Sequence, residues 1–394
     1  MTRRAPAVLC ALVVLLAGCG RPAPILRPAS GTGRPEGEVD LVAWPGTVED
    51  GSNDPRMDWV RPFERSTGCV VTVRYVNTVD EMVGLLWQPG AFEGGLVSSD
   101  TAGRLIGHGD VAPIDTRLVP GLARLLPSLR RPGFATVRGR VYGVPFDYGP
   151  NLLVFNARVL RRPPTSWRTT WFPSPRLAGH VTRYTSPIYL ADAALYLRAH
   201  RPALGIRDPF ELTDAQLQAA AGLVQRQAEH SEKSWAQFSE EISAFADGSV
   251  FAGVGRPIVL DLTRAVPVRA VVPREGVTGW VDAWMMTAHP AHPACMYRWM
   301  QWTTEPSVQA KMAQWYRAAP ANPAACVALR QAVGPSADSI RYGRCGDGPF
   351  LRSMAIWRTP SSDCGDGRHD CTDFRAWLAA WATAVANANE GGTP

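Results

Sequence analysis

Lysine is nearly missing from this chain: of 41 basic residues only Lys233 and Lys311 are lysines, and the arginines are interspersed with 35 acidic residues. No cationic run or stripe forms, so nothing supports binding to a nucleic-acid backbone. Long apolar runs are lacking as well. The uncharged stretch from Ala7 to Ala17 is too short for a bilayer span, which takes about 20 apolar residues, and no later segment approaches one. The chain carries no Gly-x-Ser-x-Gly elbow, no His-Glu-x-x-His and no glycine-rich phosphate loop. An enzyme therefore has no constellation to stand on. Glu240 and Glu241 are adjacent carboxylates, but on a helix neighbours point apart, and the pair reads as a solvated face. No cofactor is expected.

What is present at the N-terminus points outward from the cell. Arg3 and Arg4 precede the apolar run, which ends Leu16-Ala17-Gly18-Cys19. A charged n-region, a short h-region and small residues before a cysteine resemble a bacterial lipobox. The expectation is a signal peptide over residues 1–18, with Cys19 as the lipidated residue that holds the mature chain to the membrane. Residues 19–37, rich in Pro, Gly and small side chains, then read as a flexible tether. Beyond Cys10 and Cys19 there are six cysteines, Cys69, Cys295, Cys326, Cys345, Cys364 and Cys371. An even number in an exported chain predicts disulfides. Cys364 with Cys371 and Cys326 with Cys345 are the short closures, which leaves Cys69 with Cys295 and implies one lobe for both.

Two metal patterns invite attention. His289-x-x-His292-x-x-Cys295 has ligand types, but Pro290 and Pro293 break it up and an oxidising compartment disfavours free thiolate. Asp363, Asp366, Asp370 and Asp373 suggest a Ca²⁺ loop, yet their spacing is not that of an EF-hand, and the Cys364–Cys371 staple accounts for the segment. No metal is expected.

The remaining length exceeds what one hydrophobic core usually serves, so two lobes are anticipated. Val39–Trp44, Cys69–Val76 and Leu96–Asp100 read as strands, with helices from about Met57 to Ser66, from the capping box Thr78/Glu81 to Trp87, and from Thr101 to Gly107. Alternation of this kind gives parallel strands with crossover helices. Tyr142–Phe155 is an extended passage into a second unit containing Val181–Tyr184, helices Leu190–His200 and Thr213–Gln227, and strands Ser249–Gly253 and Val268–Val272. Gly279–Thr287 leads back, and helices Met296–Thr303, Ser307–Arg317 and Asp373–Asn387 follow. The predicted division is lobe 1 over 38–146, lobe 2 over 147–282, and a return to lobe 1 with stapled loops over 283–394.

Several segments, in order, resemble the extracytoplasmic solute-binding proteins of ABC importers, the spermidine/putrescine type in particular. They are Ala43-Trp44-Pro-Gly-Thr47-Val-Glu-Asp-Gly, Asp58-Trp-Val-Arg-Pro-Phe-Glu, Arg104-Leu-Ile-Gly-His-Gly-Asp-Val-Ala-Pro-Ile-Asp115, Ser186-Pro-Ile-Tyr-Leu-Ala-Asp, Pro273-Arg-Glu-Gly-Val-Thr-Gly-Trp280-Val-Asp282-Ala-Trp, Ala319-Pro-Ala-Asn-Pro and Asp363-Cys-Gly-Asp-Gly-Arg. The resemblance implies an α/β, two-lobed periplasmic-binding-protein fold of the class II type, with two crossover hinge strands and a cleft that closes on a small-molecule ligand. It implies a permease and ATPase complex as partner, and a monomer. An amine pocket needs carboxylates for charge and aromatic faces for methylenes and cation–π contact.

On that pattern Trp44, Ser98, Ser99, Asp100, Trp280 and Asp282 are ligand contacts, with lobe core as the alternative for Trp44, strand packing for Trp280 and Asp282, and a helix N-cap for Asp100. Departures stand at Thr47, where the family places Tyr, at Thr185 or Ser186 in place of an acid, at Gly255 or Arg256 in place of an aromatic, and at Ala318 in place of Glu or Tyr. Asp147 and Tyr148 are the expected compensation. Arg256 would repel a cation if it faces the cleft, and would itself be a contact if the ligand is neutral or anionic. Three functions thus compete: capture of a polyamine-like cation, the same fold with another solute, and a degenerate receptor lipoprotein.

Overall fold

The structure, a computed structural model, describes residues 26–31, 33–231, 233–333 and 338–391; the signal segment and Cys19 lie outside them. The strands in chain order are β1 (Glu38–Ala43), β2 (Val70–Tyr75), β3 (Gly94–Ser98), β4 (Thr136–Val137), β5 (Arg140–Val141), β6 (Gly143–Pro150) and β7 (Leu152–Asn156). They continue with β8 (Val181–Tyr184), β9 (Lys233–Trp235), β10 (Ala252–Gly255), β11 (Val268–Val271), β12 (Thr278–Met286), β13 (Ala319–Pro320) and β14 (Ala355–Ile356). Apart from the β4–β5 hairpin they form two sheets. One runs β13-β6-β12-β3-β1-β2 with β14 beside β12, and the other runs β11-β7-β10-β8-β9.

Each sheet is mixed for a physical reason. β1, β2 and β3 are parallel, joined by helices Val60–Thr67 and Val79–Leu86. β6 and β12, the strands that carry the chain between lobes, pair antiparallel with each other, β12 also with β3 and β6 with β13, while β14 joins β12 in parallel. β6 and β12 are buried along their whole length, as central strands covered on both faces must be. The T-shaped ring contacts Phe63–Trp299 (5.1 Å) and Trp284–Trp299 (5.4 Å) anchor helix Pro293–Trp302 on lobe 1. Local signals act as the sequence implies. Thr78 with Glu81 forms the predicted capping box and helix Leu190–His200 has the predicted bounds, while Thr213, expected as a first helical residue, is the cap of helix Asp214–Ala228 in a second box with Gln216. All three disulfides pair as expected, Cys69–Cys295, Cys326–Cys345 and Cys364–Cys371, the first joining positions 226 residues apart within lobe 1.

The chain changes sheet at Asn151, between β6 and β7, and again between β11 and β12. These two passages lie side by side. The Asn151 amide nitrogen donates to the Thr278 carbonyl at 2.9 Å and its side chain donates to the Thr278 hydroxyl at 2.7 Å. That hydroxyl donates in turn to Asp192 at 2.8 Å. Burial pushes the Asp192 carboxyl up to about 7, against the pull of the Thr278 bond. A third connection follows late in the chain. Arg358 pairs with Glu211 (2.6 Å) and Asp208 (2.8 Å), Cys371 bridges to Thr213, and Trp381 of helix Phe374–Gly391 stands 6.2 Å edge-on to Tyr189 of the second lobe. The C-terminal helix thus packs on lobe 2 rather than lobe 1, and because β6 and β12 belong to the first sheet, residues 147–150 and 278–282 lie in lobe 1 and not, as expected, in lobe 2.

The candidate metal patterns are otherwise engaged. Cys295 is disulfide-bonded, and His292 lies between Glu93 (3.0 Å) and Glu38 (3.2 Å). In the 363–373 segment Asp363 pairs with His369, Asp366 with Arg207 and Arg368, Asp370 with Arg368, and Asp373 accepts from the Ala376 amide.

Candidate functional site

Lobe 1 brings three carboxyls to the space between the sheets. Along β12 alternation puts Trp280, Asp282 and Trp284 on one face. Opposite Asp282 stand Ser98 at the end of β3 and Asp147 on β6. The β6 pairing is interrupted there, because Ala283 faces Pro145 while Asp282 faces Asp147, leaving Phe146 as an inserted residue. Without this β-bulge Phe146 would stand opposite Asp282, and with it a second carboxyl does. Asp100 arrives in the first turn of helix Ser99–His108, and the Thr101 hydroxyl donates to it at 3.2 Å. The N-cap is Ser98, so Asp100 is the second residue of the helix rather than its cap. Trp280 lies flat over Gly149, where a Cβ would come within 2.3 Å of its ring.

Lobe 2 supplies the opposing wall from the ends of its strands. Tyr184 closes β8, Trp235 closes β9, and their rings are 4.8 Å apart. Arg256 follows β10 and reaches across the cleft. Its guanidinium carbon sits 4.8 Å from the Trp280 ring centre and 5.7 Å from those of Tyr184 and Trp235. Glu241, on helix Phe238–Ala246, is completely buried beneath it. A Cβ on Gly255 would come within 2.3 Å of Glu241 Oε1, so the glycine at this point is what admits the carboxyl. The solvated-face reading therefore holds for Glu240, which accepts from the Gln237 amide as part of a capping box, and fails for Glu241. Tyr316, beside Phe238 of the other lobe (6.5 Å, edge-on), completes the rim.

The electrostatics follow from desolvation. Burial pushes Asp100 above its usual range. It raises Asp147 further, helped by the facing charge of Asp282. Asp282 and Glu241 rise for the same first reason, with Arg256 pulling both the other way. Burial alone would lower Arg256, but the acidic groups around it, Asp282 and Glu241 among them, outweigh it and keep the guanidinium charged. Neither oxygen of Asp147 or of Glu241, nor the Arg256 Nε, has a hydrogen-bond partner among the described residues. The result is an acid-rich chamber with aromatic walls that already contains one cation.

The two walls touch. Gln237 Nε2 donates to the Asn77 carbonyl, and Arg317 pairs with Asp261 at 3.4 Å. The hollow left between Phe238, Arg256, Trp280, Tyr316 and Ala318 is ≈ 10 Å³, room for about one water. A larger hollow of ≈ 530 Å³ lies on the outer edge of the second sheet, between β11 and Arg341 and Tyr342. Among the described residues no carboxyl lines it, and the cleft is the better site on chemistry.

Of the residues singled out in the sequence, Ser98, Asp100, Asp147, Arg256, Trp280 and Asp282 meet in the cleft. Ser99 lies behind it, its hydroxyl accepting from the Val281 amide at 3.2 Å. Thr47 is spent on a local turn, donating to the Trp44 carbonyl at 2.7 Å, and Trp44 packs against the lobe 1 core. Tyr148 points to the other face of β6 from Asp147, its hydroxyl donating to the Arg344 carbonyl at 3.3 Å. Tyr184, Trp235, Glu241 and Tyr316 escaped the sequence reading. A signal existed for one of them: Tyr316 stands two residues before Ala318, so that apparent loss is a displacement along the chain, whereas Tyr184 beside Thr185 does not restore the missing acid.

Comparison with known proteins agrees with this architecture. Residues 58–327 match the family model of bacterial extracellular solute-binding proteins. The spermidine/putrescine ABC transporter substrate-binding protein PotD from Streptococcus pneumoniae superposes with a TM-score of 0.68 at 13% identity, covering 90% of this chain and 99% of that one. The TpPotD lipoprotein of Treponema pallidum gives 0.66 at 14%, over 88% and 99%. MotA from A. tumefaciens B6, in complex with glucopine, gives 0.61 at 13%, over 90% and 100%.

Proposed function

Since the chain belongs to the family of bacterial extracellular solute-binding proteins, we propose that its cleft captures a small amine-bearing cation, polyamine-like in class, and delivers it to an ABC permease. The observation that carries this reading is the meeting of Asp100, Asp147, Asp282 and Glu241 against the rings of Trp280, Trp235, Tyr184 and Tyr316. Four carboxyls facing one arginine leave acceptors over. An ammonium satisfies them, and ring faces take its methylenes. Asp282, Asp147 and Asp100 are the ammonium acceptors, and Trp280, whose ring Arg256 covers here, is the aromatic wall beside them. Ligand favours closure because it contacts both lobes at once.

The anchor completes the reading: Cys19 carries lipid, the stretch after it leads to lobe 1 and is a shorter tether than residues 19–37, because Glu36 accepts from the Ala294 and Cys295 amides, and the protein acts as a monomer beside its permease. Cys19→Ala should move the chain from the membrane fraction to the soluble one. Calorimetry of the mature chain with spermidine, putrescine and a panel of organic anions tests the cargo. Heat with the amines and none with the anions is the expected result. A second reading, a neutral or anionic solute, is favoured by the unpartnered Arg256 Nε. Binding of an anion with no response to amines at about 1 mM, a regime worth only about 4 kcal/mol, decides for it.

A further inference from the structure

Two arginines border the cleft hollow among the described residues; Arg317 is paired with Asp261, whereas Arg256 runs against a cationic solute, and its geometry explains how both can be true. The backbone before it, Gly255, carries no side chain, and the backbone after it is fixed by Pro257, which opens helix Pro257–Leu262. Arg256 is accordingly held extended (φ −97°, ψ 157°), as a residue preceding proline tends to be. From that fixed base the guanidinium crosses from lobe 2 to the Trp280 ring of lobe 1 and fills the cage formed with Tyr184 and Trp235. Ring faces around a positive group are the arrangement that recognises a ligand cation. Here the protein's own side chain occupies it.

We infer that Arg256 is a specificity-determining residue: its guanidinium takes one cation position of the cleft from within, so that the site accepts a solute with a single ammonium and discriminates against diamines and longer polyamines. This rests on the amine reading proposed above and sharpens it. The acids that remain without donors, Asp147 on the lobe 1 side above all, are available to one ammonium. A second ammonium would have to enter the cage beside a fixed like charge at low dielectric, where repulsion is strong. Either amine needs the lobes to open, since the hollow bordered by Arg256, Trp280 and Tyr316 is only ≈ 10 Å³. The diamine's second ammonium needs the arginine expelled as well.

Butylamine and putrescine share a carbon chain and differ by one ammonium, which makes them the probes. Calorimetry of the mature wild-type chain should give butylamine at least ~10-fold tighter binding than putrescine. Arg256→Ala should reverse the order, with putrescine gaining at least ~10-fold, and Arg256→Gln should do so in part while keeping most of the side-chain volume. Adding methylguanidinium to Arg256→Ala should refill the cage and suppress the gained putrescine binding. Putrescine bound as tightly as butylamine by the wild type, or a preference unchanged in variants that melt normally, overturns the inference while leaving the amine reading intact. If either variant fails to fold, the wild-type ratio decides alone. Anion binding with no response to any amine in any of the proteins removes the amine reading and this inference together.

Discussion

The two walls of the cleft are built on opposite chemistry. Lobe 1 presents acids held by a sheet, Asp147 and Asp282 in facing register and Asp100 on the first turn of a helix. Lobe 2 presents three strand-end residues, Tyr184, Trp235 and Arg256, with Glu241 below them. Either wall alone pays for desolvating its charges, and each supplies what the other lacks. Closure therefore joins an acidic face to a cationic one before any solute is considered. A solute must improve on that internal match, which makes selectivity a matter of what it offers beyond Arg256.

Disabling the acidic wall should have the largest effect. Asp147→Asn combined with Asp282→Asn should weaken amine binding by roughly 100-fold or more in calorimetry, about 2.7 kcal/mol. The melting temperature should hold or rise, because two buried, mutually repelling carboxyls are removed. Retained affinity would mean the cation is held elsewhere.

Next in size is the pH response. The lobe 1 acids must be ionised to hold an ammonium, and their folded pKa values lie above the usual carboxylate range. Affinity should therefore climb by about 10-fold as pH rises from the ordinary carboxylate range toward neutrality, with protons released on binding. Arg256 stays charged and Tyr184 and Tyr316, both pushed up by burial, stay neutral across this window. Titrations in buffers of different ionisation enthalpy measure the released protons, and a flat profile would contradict the acidic-wall account.

The hinge offers a smaller contrast. Asp192 is raised on folding, so the native state binds the extra proton, and stability present at low pH is lost as pH rises from about 4 through about 7. Asp192→Asn keeps an acceptor for Thr278 and removes the charge. Thermal melts should show that pH slope flattened and, near pH 8, a gain of a few degrees, of the order of 1 kcal/mol. Least of all should change in Tyr148→Phe, which loses one 3.3 Å bond on the far face of β6. Amine affinity should stay within about two-fold of wild type, at a stability cost of about 1 kcal/mol or less.

Much of the fold was legible from local rules. The Thr78/Glu81 capping box, helix Leu190–His200, the strand alternation through Trp280 and Asp282, and the two short cysteine closures rest on short-range spacing. Half the cleft was legible too, because Asp282 and Trp280 lie in a recognisable strand. Its other half depended on events that no local pattern records. The bulge at Phe146 decides which side chain faces Asp282, and a missing Cβ at Gly255 turns Glu241 from a surface residue into a buried one.

The sequence by itself determined an α/β chain of two units, the elements within each, and the residue types available for recognition, since these follow from periodicity, caps and composition. Only the tertiary structure decided that Tyr184, Trp235, Glu241 and Tyr316 converge and that Arg256 fills their cage. Those residues lie on separate elements, and their meeting depends on how two sheets close over one another, a long-range arrangement that spacing along the chain does not encode.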